Sequence, residues 1–499
     1  MFSKYFKLSF LVFVFIFCSN AFAQKIEYSA EPIDNYDFNY MSIAGFNDSG
    51  FFLLQSNMPF DEERDRLGFK SRKYKISYFT SQLQQKWTNE FDKGDEDSRI
   101  ETIGVINGKV VIIKTKFKAN ENKLNVLLSR LNQNGQEVKE PLSISEISFE
   151  DGSKLDKVKF ISSLHHTMFG LIQVEKKENK TQVLNCIVMD TTMKPIHTIR
   201  FDIPYEEKNF YFTNWLLTDE GDFILLGYLN TKEKSVDKKR WDAYKLFVAK
   251  HNYNQVKEFA VNTPNIVFSG DDMVYDALHN KVMLAGFYLD KFNYTSGIMY
   301  GGVKLSTEDT LEIKKQSIAE GYKAKLLYTK NNDYKAIELD NYTIEKIILR
   351  NDGGAVLVAE ASYVSDYSYY DYFTQSYIRQ SEFHFENVMV LSLNADGTID
   401  WDAILRKDQA SINDEGRYSS FCLARAENKI SLFYNTSIER TNRVAVFSVT
   451  NTGEADEKDF ISAEEKILLI PDAARQITSN EIIVPCWSRR KLLLAKISF

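Results

Sequence analysis

Cysteine and proline are both scarce in this chain of 499 residues, which contains four cysteines and eight prolines. Apart from Cys18 near the N-terminus, the cysteines are Cys186, Cys422 and Cys486, which are far apart and each lie in an apolar run. Such dispersed cysteines do not form the paired framework that stabilises small exported domains. No spacing indicates a catalytic thiolate either. We therefore expect three buried thiols and a fold held together by its hydrophobic core.

The short motifs of several enzyme classes are also missing. The sequence has no Gly-rich phosphate loop, no G-x-S-x-G elbow and no H-E-x-x-H helix. His165 and His166 are adjacent, so in a strand they would point to opposite faces, where one zinc ion could not readily use both. The other four histidines are isolated. The sequence therefore predicts no metal site and no cofactor.

Basic residues are fewer than acidic ones. The formal net charge of the whole chain is −7. Without Lys4 and Lys7, which lie in a predicted leader, the chain has 60 basic and 69 acidic residues, a net charge of −9. Nucleic-acid-binding proteins need a basic footprint, so the sequence argues against a nucleic-acid partner.

The N-terminal residues have the pattern of a secretory signal peptide. Lys4 and Lys7 precede an apolar run at 8–17, and Ala21-Phe22-Ala23 forms a small-residue cleavage pattern. The run is shorter than the ~20 residues of a membrane-spanning helix, and Phe17 before Cys18 does not fit a lipidation site. We expect a signal peptide at 1–23 and an exported mature chain, either periplasmic, associated with the outer surface or secreted, without a transmembrane segment.

Residues 347–401 contain the unit that the chain repeats. Two apolar runs flank the turn at 351–354, and two more flank the turn at 394–397, whose sequences are NDGG and NADG. Turns of this kind between β-rich runs are the strongest local signal for a hairpin. Two successive hairpins would form one four-stranded antiparallel sheet.

Similar units recur along the chain at intervals of roughly fifty to seventy-five residues, in the range of blade-type repeats. The runs are continuously apolar, as expected for strands that are covered on both faces. No linker rich in proline, glycine or serine divides residues 24–499. We therefore predict an all-β protein that is a single β-propeller of eight four-stranded blades. Seven blades is the alternative, because the unit at His165 and His166 lacks a turn glycine. The first hairpins of the units lie at 43–56, 103–115, 162–174, 215–228, 275–288, 347–360, 422–435 and 476–487.

The last unit lacks its outer strand, whereas 25–30 is a spare strand-like segment before the first unit. We expect these two ends to meet, with 25–30 pairing with 492–497, because closure of the ring leaves no open sheet edge to cap. One other segment, 311–342, has only weak apolar runs. Its first part is either a helical turn or an irregular outer strand.

The connections differ in length in a systematic way. Turns inside the hairpins are short, whereas connections between the two hairpins of a unit are often long, as at 56–72, 229–242, 288–297 and above all 361–386. In an antiparallel blade these two kinds of connection lie on opposite faces of the disc. Function is usually carried by variable loops on a rigid scaffold, so the face with the long connections is the candidate binding surface.

The longest of these connections contains the sequence DYSYYDYF at 366–373. Exposed tyrosines offer flat apolar area and a hydroxyl group, which suits stacking on sugars or anchoring a protein partner. The alternative is that the rings pack over their own loop. We predict a protein or glycan partner at the cell surface or in the periplasm, bound by these residues of the loop: Tyr367, Tyr369, Tyr370, Tyr372, Asp366 and Asp371.

A second segment, 406–416, connects two units on the same face. Its candidate binding residues are Arg406, Lys407, Asp408, Asn413 and Asp414. The surrounding sequence DGTIDWDAILRKDQASINDEGRYSSF at 396–421, with NDGGAVLVAE at 351–360, resembles an uncharacterised family of large exported bacterial proteins. The chain departs from the family's pattern at 434–436, where Tyr-Asn-Thr replaces an Asn-Asp pair. The resemblance implies export and a propeller-like fold, and it implies no catalytic residues.

An enzyme is the alternative. A glycoside hydrolase or polysaccharide lyase needs carboxylates that face each other across a cleft. Asp366, Asp371, Asp408, Asp414 and Glu415 are the loop carboxylates that could converge, although no spacing constrains them.

Overall fold

The structure of the protein is a computed structural model. It describes residues 25–58, 73–91, 98–121, 123–138, 140–148, 154–229, 243–250, 256–262, 267–289, 295–305, 311–318, 322, 326, 341–438 and 442–499. The predicted signal peptide at 1–23 lies outside these residues, as does most of the connections at 56–72, 229–242 and 288–297. No helix in the described ranges has the length and hydropathy needed to cross a bilayer.

Hairpin follows hairpin along the chain, because short turns join runs of β-branched and aromatic residues. The result is a series of four-stranded antiparallel sheets in which strand order follows chain order. The first four blades contain β2 (Tyr40–Asn47), β3 (Gly50–Ser56), β4 (Tyr74–Thr80), β5 (Gln85–Phe91); β6 (Ser98–Ile106), β7 (Lys109–Lys118), β8 (Lys123–Arg130), β9 (Leu142–Ser148); β10 (Lys154–Ser162), β11 (Phe169–Lys176), β12 (Thr181–Met189), β13 (Pro195–Glu206); and β14 (Phe210–Leu217), β15 (Phe223–Leu229), β16 (Ala243–Ala249), β17 (Val256–Asn262).

The remaining four blades follow the same plan with additions. Blade six has an extra strand, and blade eight takes its outermost strand, β1 (Lys25–Tyr28), from the N-terminal end. Their other strands are β18 (Val267–Asp276), β19 (Lys281–Leu289), β20 (Thr295–Lys304), β21 (Leu311–Ser317); β22 (Tyr342–Leu349), β23 (Ala355–Asp371), β24 (Ser376–Leu393), β25 (Ile399–Leu405), β26 (Gln409–Ile412); β27 (Cys422–Arg425), β28 (Lys429–Asn435), β29 (Val444–Thr450), β30 (Ala455–Ile461); and β31 (Ile467–Leu469), β32 (Arg475–Gln476), β33 (Glu481–Ser488), β34 (Lys491–Ser498). Single 3-10 turns lie at Ala119–Glu121, Ala463–Glu465 and Pro471–Ala473.

The hydrophobic core is divided into eight clusters, and each cluster fills the space between two consecutive sheets. Strand β3 shows why the apolar runs are continuous. Phe51 and Leu53 pack against blade eight, whereas Phe52 and Leu54 pack against blade two. Because side chains alternate between the two faces of a strand, a strand between two neighbouring blades needs an apolar residue at every position.

These clusters also show that the ring is closed. The cluster between blades eight and one joins residues such as Ile483 and Leu494 to Met41 and Phe51. Strand β1 pairs with β34 in antiparallel register, from Lys25 opposite Ser498 to Tyr28 opposite Ala495. The predicted eight-bladed propeller closed by the N-terminal strand is confirmed.

Several smaller expectations have clear outcomes. Cys186, Cys422 and Cys486 are buried free thiols, as expected. The open question about the start of 311–342 is answered, because Leu311–Ser317 is the outermost strand of blade five. The turn of blade three forms without glycine, since His166 itself adopts a left-handed conformation with φ 56°.

One expectation is wrong. Residues 361–386 do not form a loop, because β23 and β24 continue past the blade as a single long hairpin. Polar residues lie on both faces of this segment, and such a sequence is typical of a loop. Tyrosine, valine and phenylalanine nevertheless favour extended backbone, and β26 adds a third strand to the base of the hairpin at Glu382–Phe385.

Blades six and seven are held in register by a tryptophan that packs on a turn glycine. Gly453 lies between β29 and β30 with φ 84°. A Cβ atom at this position would lie 2.8 Å from Cγ of Trp401 on blade six. The Trp401 Nε1–H donates to the Asn451 carbonyl at 3.1 Å. Only glycine allows both the left-handed backbone and this close approach.

We expect Gly453→Ala to lower the free energy of unfolding by about 2–4 kcal/mol, because left-handed strain and overpacking both apply. Gly353→Ala is a matched control, since Gly353 has φ 83° and its nearest outside neighbour, Ala395 Cβ, would lie 3.5 Å from the new methyl group. The control should lose only about 1 kcal/mol. Urea denaturation measures both variants. Equal losses would show that the contact with Trp401 contributes nothing.

Candidate functional site

The long hairpin of blade six projects beyond the rest of its sheet. Strand β22 pairs with β23 only as far as Tyr342 opposite Ala361. From Ser362 to Asp371, the described partner of β23 is β24 alone. We call residues 362–386 the arm. All six tyrosine and aspartate residues predicted from the first segment lie within the arm, and five of them are on strand β23.

One face of the arm is formed by residues that lie opposite each other in the β23–β24 ladder. Tyr363 stacks on His384 with ring centroids 4.4 Å apart. The Tyr367 hydroxyl donates to Gln380 Oε1 at 2.9 Å, and Tyr369 lies opposite Ile378. Such cross-strand pairs stabilise an exposed ladder.

The other face combines charge with aromatic rings. Asp366 accepts a hydrogen bond from Ser381 Oγ at 2.6 Å and a weaker one from Arg379 at 3.4 Å. These donors hold the pKa of the Asp366 carboxyl below its usual value, the Ser381 hydrogen bond being the largest cause. Tyr370 packs against Tyr377 with centroids 5.2 Å apart. This face therefore carries one carboxylate paired with one guanidinium, beside aromatic rings, and has no net charge.

The tip of the arm is its most exposed part. Asp371 Oδ1 accepts the Phe373 backbone N–H at 2.8 Å and so shapes the turn. The side chains of Tyr372, Phe373 and Tyr377 are 84%, 101% and 76% exposed. The alternative, in which the rings pack over their own loop, does not hold at the tip. Tyr377 was not among the predicted residues, because only the register shows that it lies opposite Tyr370.

The second predicted segment supports the base of the arm. Gln409–Ile412 forms β26, which extends the sheet on the outer side of β24. Asn413 continues this contact, since its N–H donates to the Ser381 carbonyl and its Oδ1 accepts the Ser381 N–H, both at 2.9 Å. Asp414 accepts hydrogen bonds from Ser411 Oγ and the Gly416 N–H. Arg406 and Asp408 are exposed beside it.

Lys407 does not belong to this exposed surface. Its ammonium group lies 2.5 Å from Glu360 Oε1, with the two side chains 2% and 1% exposed. It also donates to Gln409 Oε1 at 2.7 Å. The prediction of Lys407 as a surface residue is wrong, because the strand alternation of 405–411 turns it inward while its neighbours face solvent.

The buried ion pair belongs to a polar network that joins three blades beneath the arm. Glu360 accepts the Ser420 hydroxyl at 2.5 Å, and Gln409 Nε2 donates to the Asn435 carbonyl at 2.6 Å. Asn435 Nδ2 in turn donates to the Leu469 carbonyl of blade eight at 2.9 Å. A network of this kind fixes the base from which the arm projects.

A second candidate site is a cavity beside the innermost strands, and no sequence pattern revealed it. Bulges interrupt the first strand of blades one to six, and bulges re-aim side chains. In blade six the bulged residue is Glu345, beside a cavity of about 480 Å³. The cavity lies where blades six, seven and eight meet, and its polar lining includes Glu345, Lys346, Ser420, Asp472, Arg475 and Gln476.

Two carboxyl groups beside this cavity titrate close to neutrality. Burial, assisted by the negative charges of Glu360 and Asp472, raises the pKa of Glu345 to about 7. The Asp472 side chain keeps surface open to the cavity, yet the surrounding protein and Glu360 raise its pKa to about 6. Here the chain brings together two carboxyl groups from positions far apart in sequence. The loop carboxylates behave differently, since Asp366 and Asp371 lie on opposite faces of the arm by strand alternation.

No protein-family model and no curated protein matches this chain. Among solved structures, it is similar to the WD40 domain of SCAP from fission yeast, with 10% identity, a TM-score of 0.41 and coverage of 95% of this chain and 98% of that one. It is also similar to prolyl oligopeptidase B from Galerina marginata, with 8% identity, a TM-score of 0.38 and coverage of 93% and 55%. A protein of unknown function from Bacteroides caccae shares 8% identity over 68% of this chain and 91% of that one, with a TM-score of 0.27.

The fold is defined by the eight sheets and their closure. A β-propeller is a scaffold that supports many unrelated functions, so function has to be argued from particular sites.

Proposed function

We propose that the protein is an exported β-propeller without enzymatic activity, which binds a protein partner through the arm. The observation that carries the proposal is the exposed aromatic tip, in which Phe373 is fully exposed and Tyr372 nearly so. Large exposed apolar groups in one place mark interaction sites. The signal-peptide pattern at 1–23 and the resemblance to exported proteins support export.

The arrangement of the rings favours a protein partner over a glycan. Tyr370 meets Tyr372 and Tyr377 edge to face, at 83° and 67°, so the rings form a knob rather than a flat platform for a sugar. Aromatic knobs that fill a partner's pocket are typical binding hot spots.

We expect simultaneous replacement of Tyr369, Tyr370 and Tyr372 by serine to change the free energy of unfolding by only about 1 kcal/mol, since exposed side chains contribute little to stability. Capture of the partner should fall at least tenfold. The measurements are the melting temperature and quantitative capture of proteins from native surface extract. Binding to a panel of surface polysaccharides is measured in parallel.

The matched control replaces Tyr36 and Tyr211 by serine, because these tyrosines are 79% and 57% exposed but lie outside the arm. The control should retain full capture. A collapse of the melting temperature in the triple variant would show that the rings are structural. Unchanged capture, or loss of polysaccharide binding alone, would contradict a protein-binding role for the arm.

A further inference from the structure

The arm has one open edge among the residues that the structure describes. Strand β24 is covered on its outer side by β26, from Glu382 opposite Ile412 to Phe385 opposite Gln409. Pairing between β22 and β23 ends at Ala361. Within the described chain, no strand pairs with the outer edge of 362–371.

The backbone groups on this edge can be identified from the opposite strand. Both the N–H and the C=O of Ser381 are turned away from β23, because they bond to Asn413. Ser381 lies opposite Asp366, so this pair is one that does not exchange ladder hydrogen bonds. The N–H and C=O of Asp366 therefore point to the open edge. By alternation, so do those of Val364, Ser368 and Tyr370.

Apart from the charge of Asp366, this edge lacks the devices that normally prevent strand addition. Natural edge strands are protected by lysine, proline, bulges or short length. Residues 362–377 contain neither lysine nor proline, and the ladder runs without a register shift from Ser362 to Asp371. The segment is also rich in tyrosine and valine, which favour extended backbone. A long, regular edge that no described strand covers is a template for another strand.

The charge of the arm indicates what kind of strand would pair there. Residues 362–386 contain four acidic residues and one arginine. Asp366 shares its side-chain face with Tyr370 and is paired there with Arg379, so the attraction for cations comes from the acidic excess of the whole arm. Carboxylates attract cationic side chains, and tyrosine rings stabilise them further by cation–π contacts. Addition of a second copy would place like charges side by side, which disfavours self-pairing.

We propose that an extended cationic segment of the partner binds by adding a strand to the edge formed by Val364, Asp366, Ser368 and Tyr370. This inference rests on the proposed function, in which the arm binds a protein. Main-chain hydrogen bonds along the edge would provide affinity, as in other cases of strand addition, and the acidic excess of the arm with its tyrosine rings would select basic side chains. The aromatic tip then provides a separate anchor at the end of the added strand.

The test uses the full mature chain and two synthetic eight-residue peptides. In one peptide lysine alternates with threonine, and in the other glutamate alternates with threonine. Ser368→Pro removes an N–H from the open edge without removing a β23–β24 hydrogen bond, because the Ser368 N–H points outward. Ser368→Ala is the matched control. Asp366→Lys reverses the charge while retaining the backbone groups. Binding is measured by fluorescence anisotropy at low salt, and far-UV circular dichroism monitors the fold.

We expect the lysine peptide to bind and the glutamate peptide to bind at least tenfold more weakly. Ser368→Pro and Asp366→Lys should each weaken binding of the lysine peptide at least tenfold. Ser368→Ala should bind this peptide as strongly as the unaltered protein. Equal binding of both peptides, or unchanged binding to Ser368→Pro, would overturn the inference. A dimer that Ser368→Pro dissociates, seen by sedimentation, would overturn it as well, since the occupant would be a second copy.

The same variants separate the two proposals. If Ser368→Pro still captures protein from surface extract while the triple tyrosine variant does not, the arm binds a protein by its tip and strand addition is wrong. If neither variant alters capture, the proposed function itself fails.

Discussion

Lys407→Ala is expected to destabilise the protein by about 3–5 kcal/mol, one of the largest effects of any single substitution in this chain. The substitution leaves the Glu360 carboxylate buried without its cation, and an uncompensated buried charge costs this much. The Glu360 and Lys407 side chains are almost completely inaccessible to water. Ser420, whose hydroxyl donates to Glu360, cannot replace a full positive charge. Urea denaturation followed by tryptophan fluorescence measures the loss.

Two controls test the cause. Arg443→Ala removes the cation of the Arg443–Asp459 pair, which lies at 2.8 Å but is about half exposed on both sides, and it should cost less than about 1 kcal/mol. The double variant Glu360→Leu with Lys407→Met removes both charges at similar volume. It should recover most of the stability, because well-packed apolar residues often replace a buried pair without loss. If Lys407→Ala lowers the free energy of unfolding as little as Arg443→Ala does, the explanation by an uncompensated buried charge is wrong.

The ion pair also supports the base of the arm. Lys407 donates to the Phe385 carbonyl at 3.2 Å, at the base of the arm. Loss of this contact loosens the network that joins blades six, seven and eight. A structural role of this kind explains why a lysine in the candidate segment is buried while Arg406 and Asp408 on either side face solvent.

Deletion of residues 24–31 is expected to lower the free energy of unfolding by about 3 kcal/mol or more. The deletion removes strand β1, whose Ile26 and Tyr28 pack against the core between blades seven and eight. Burial of an apolar side chain contributes about 1.5–3 kcal/mol. The Ser29 N–H and Oγ also bond to the Leu494 backbone at 2.9 and 3.1 Å. The measurement is the melting temperature, with light scattering to detect association through the exposed edge of β34.

A synthetic peptide of residues 24–31 provides the control, because it carries the complete missing strand. Added in excess to the deleted protein, it should raise the melting temperature toward that of the full chain by mass action. A version with Ile26→Asp should fail to do so. A deletion that leaves the melting temperature unchanged would show that pairing of β1 with β34 contributes nothing to closure of the ring.

The architecture was accessible from sequence because its signals are local. Turns such as 351–354 and 394–397 determine where hairpins form, and the continuously apolar runs show that strands are covered on both sides. The spare segment at 25–30 and the missing outer strand of the last unit then implied closure. Even the turn with His165 and His166, which lacks glycine, did not mislead the count, since the apolar runs on either side retained the pattern.

Local sequence patterns failed to predict the structure of the arm. A polar segment without a covered face has no hydrophobic period, so 361–386 resembled a loop. Its regular structure comes from pairing between β23 and β24, which depends on a register that composition does not show. The open edge and the opposition of Tyr370 and Tyr377 follow from that register alone.

The sequence by itself determined that this protein is a closed ring of four-stranded sheets, because hairpin turns and apolar runs act over a few residues. Only the tertiary structure decided that Lys407 is buried with Glu360, that the arm has an edge without a partner among the described strands, and that Glu345 and Asp472 share a cavity. Those features depend on contacts between residues from separate strands and blades. Their energies come from burial and from charges brought close together in space, which sequence neighbours do not reveal.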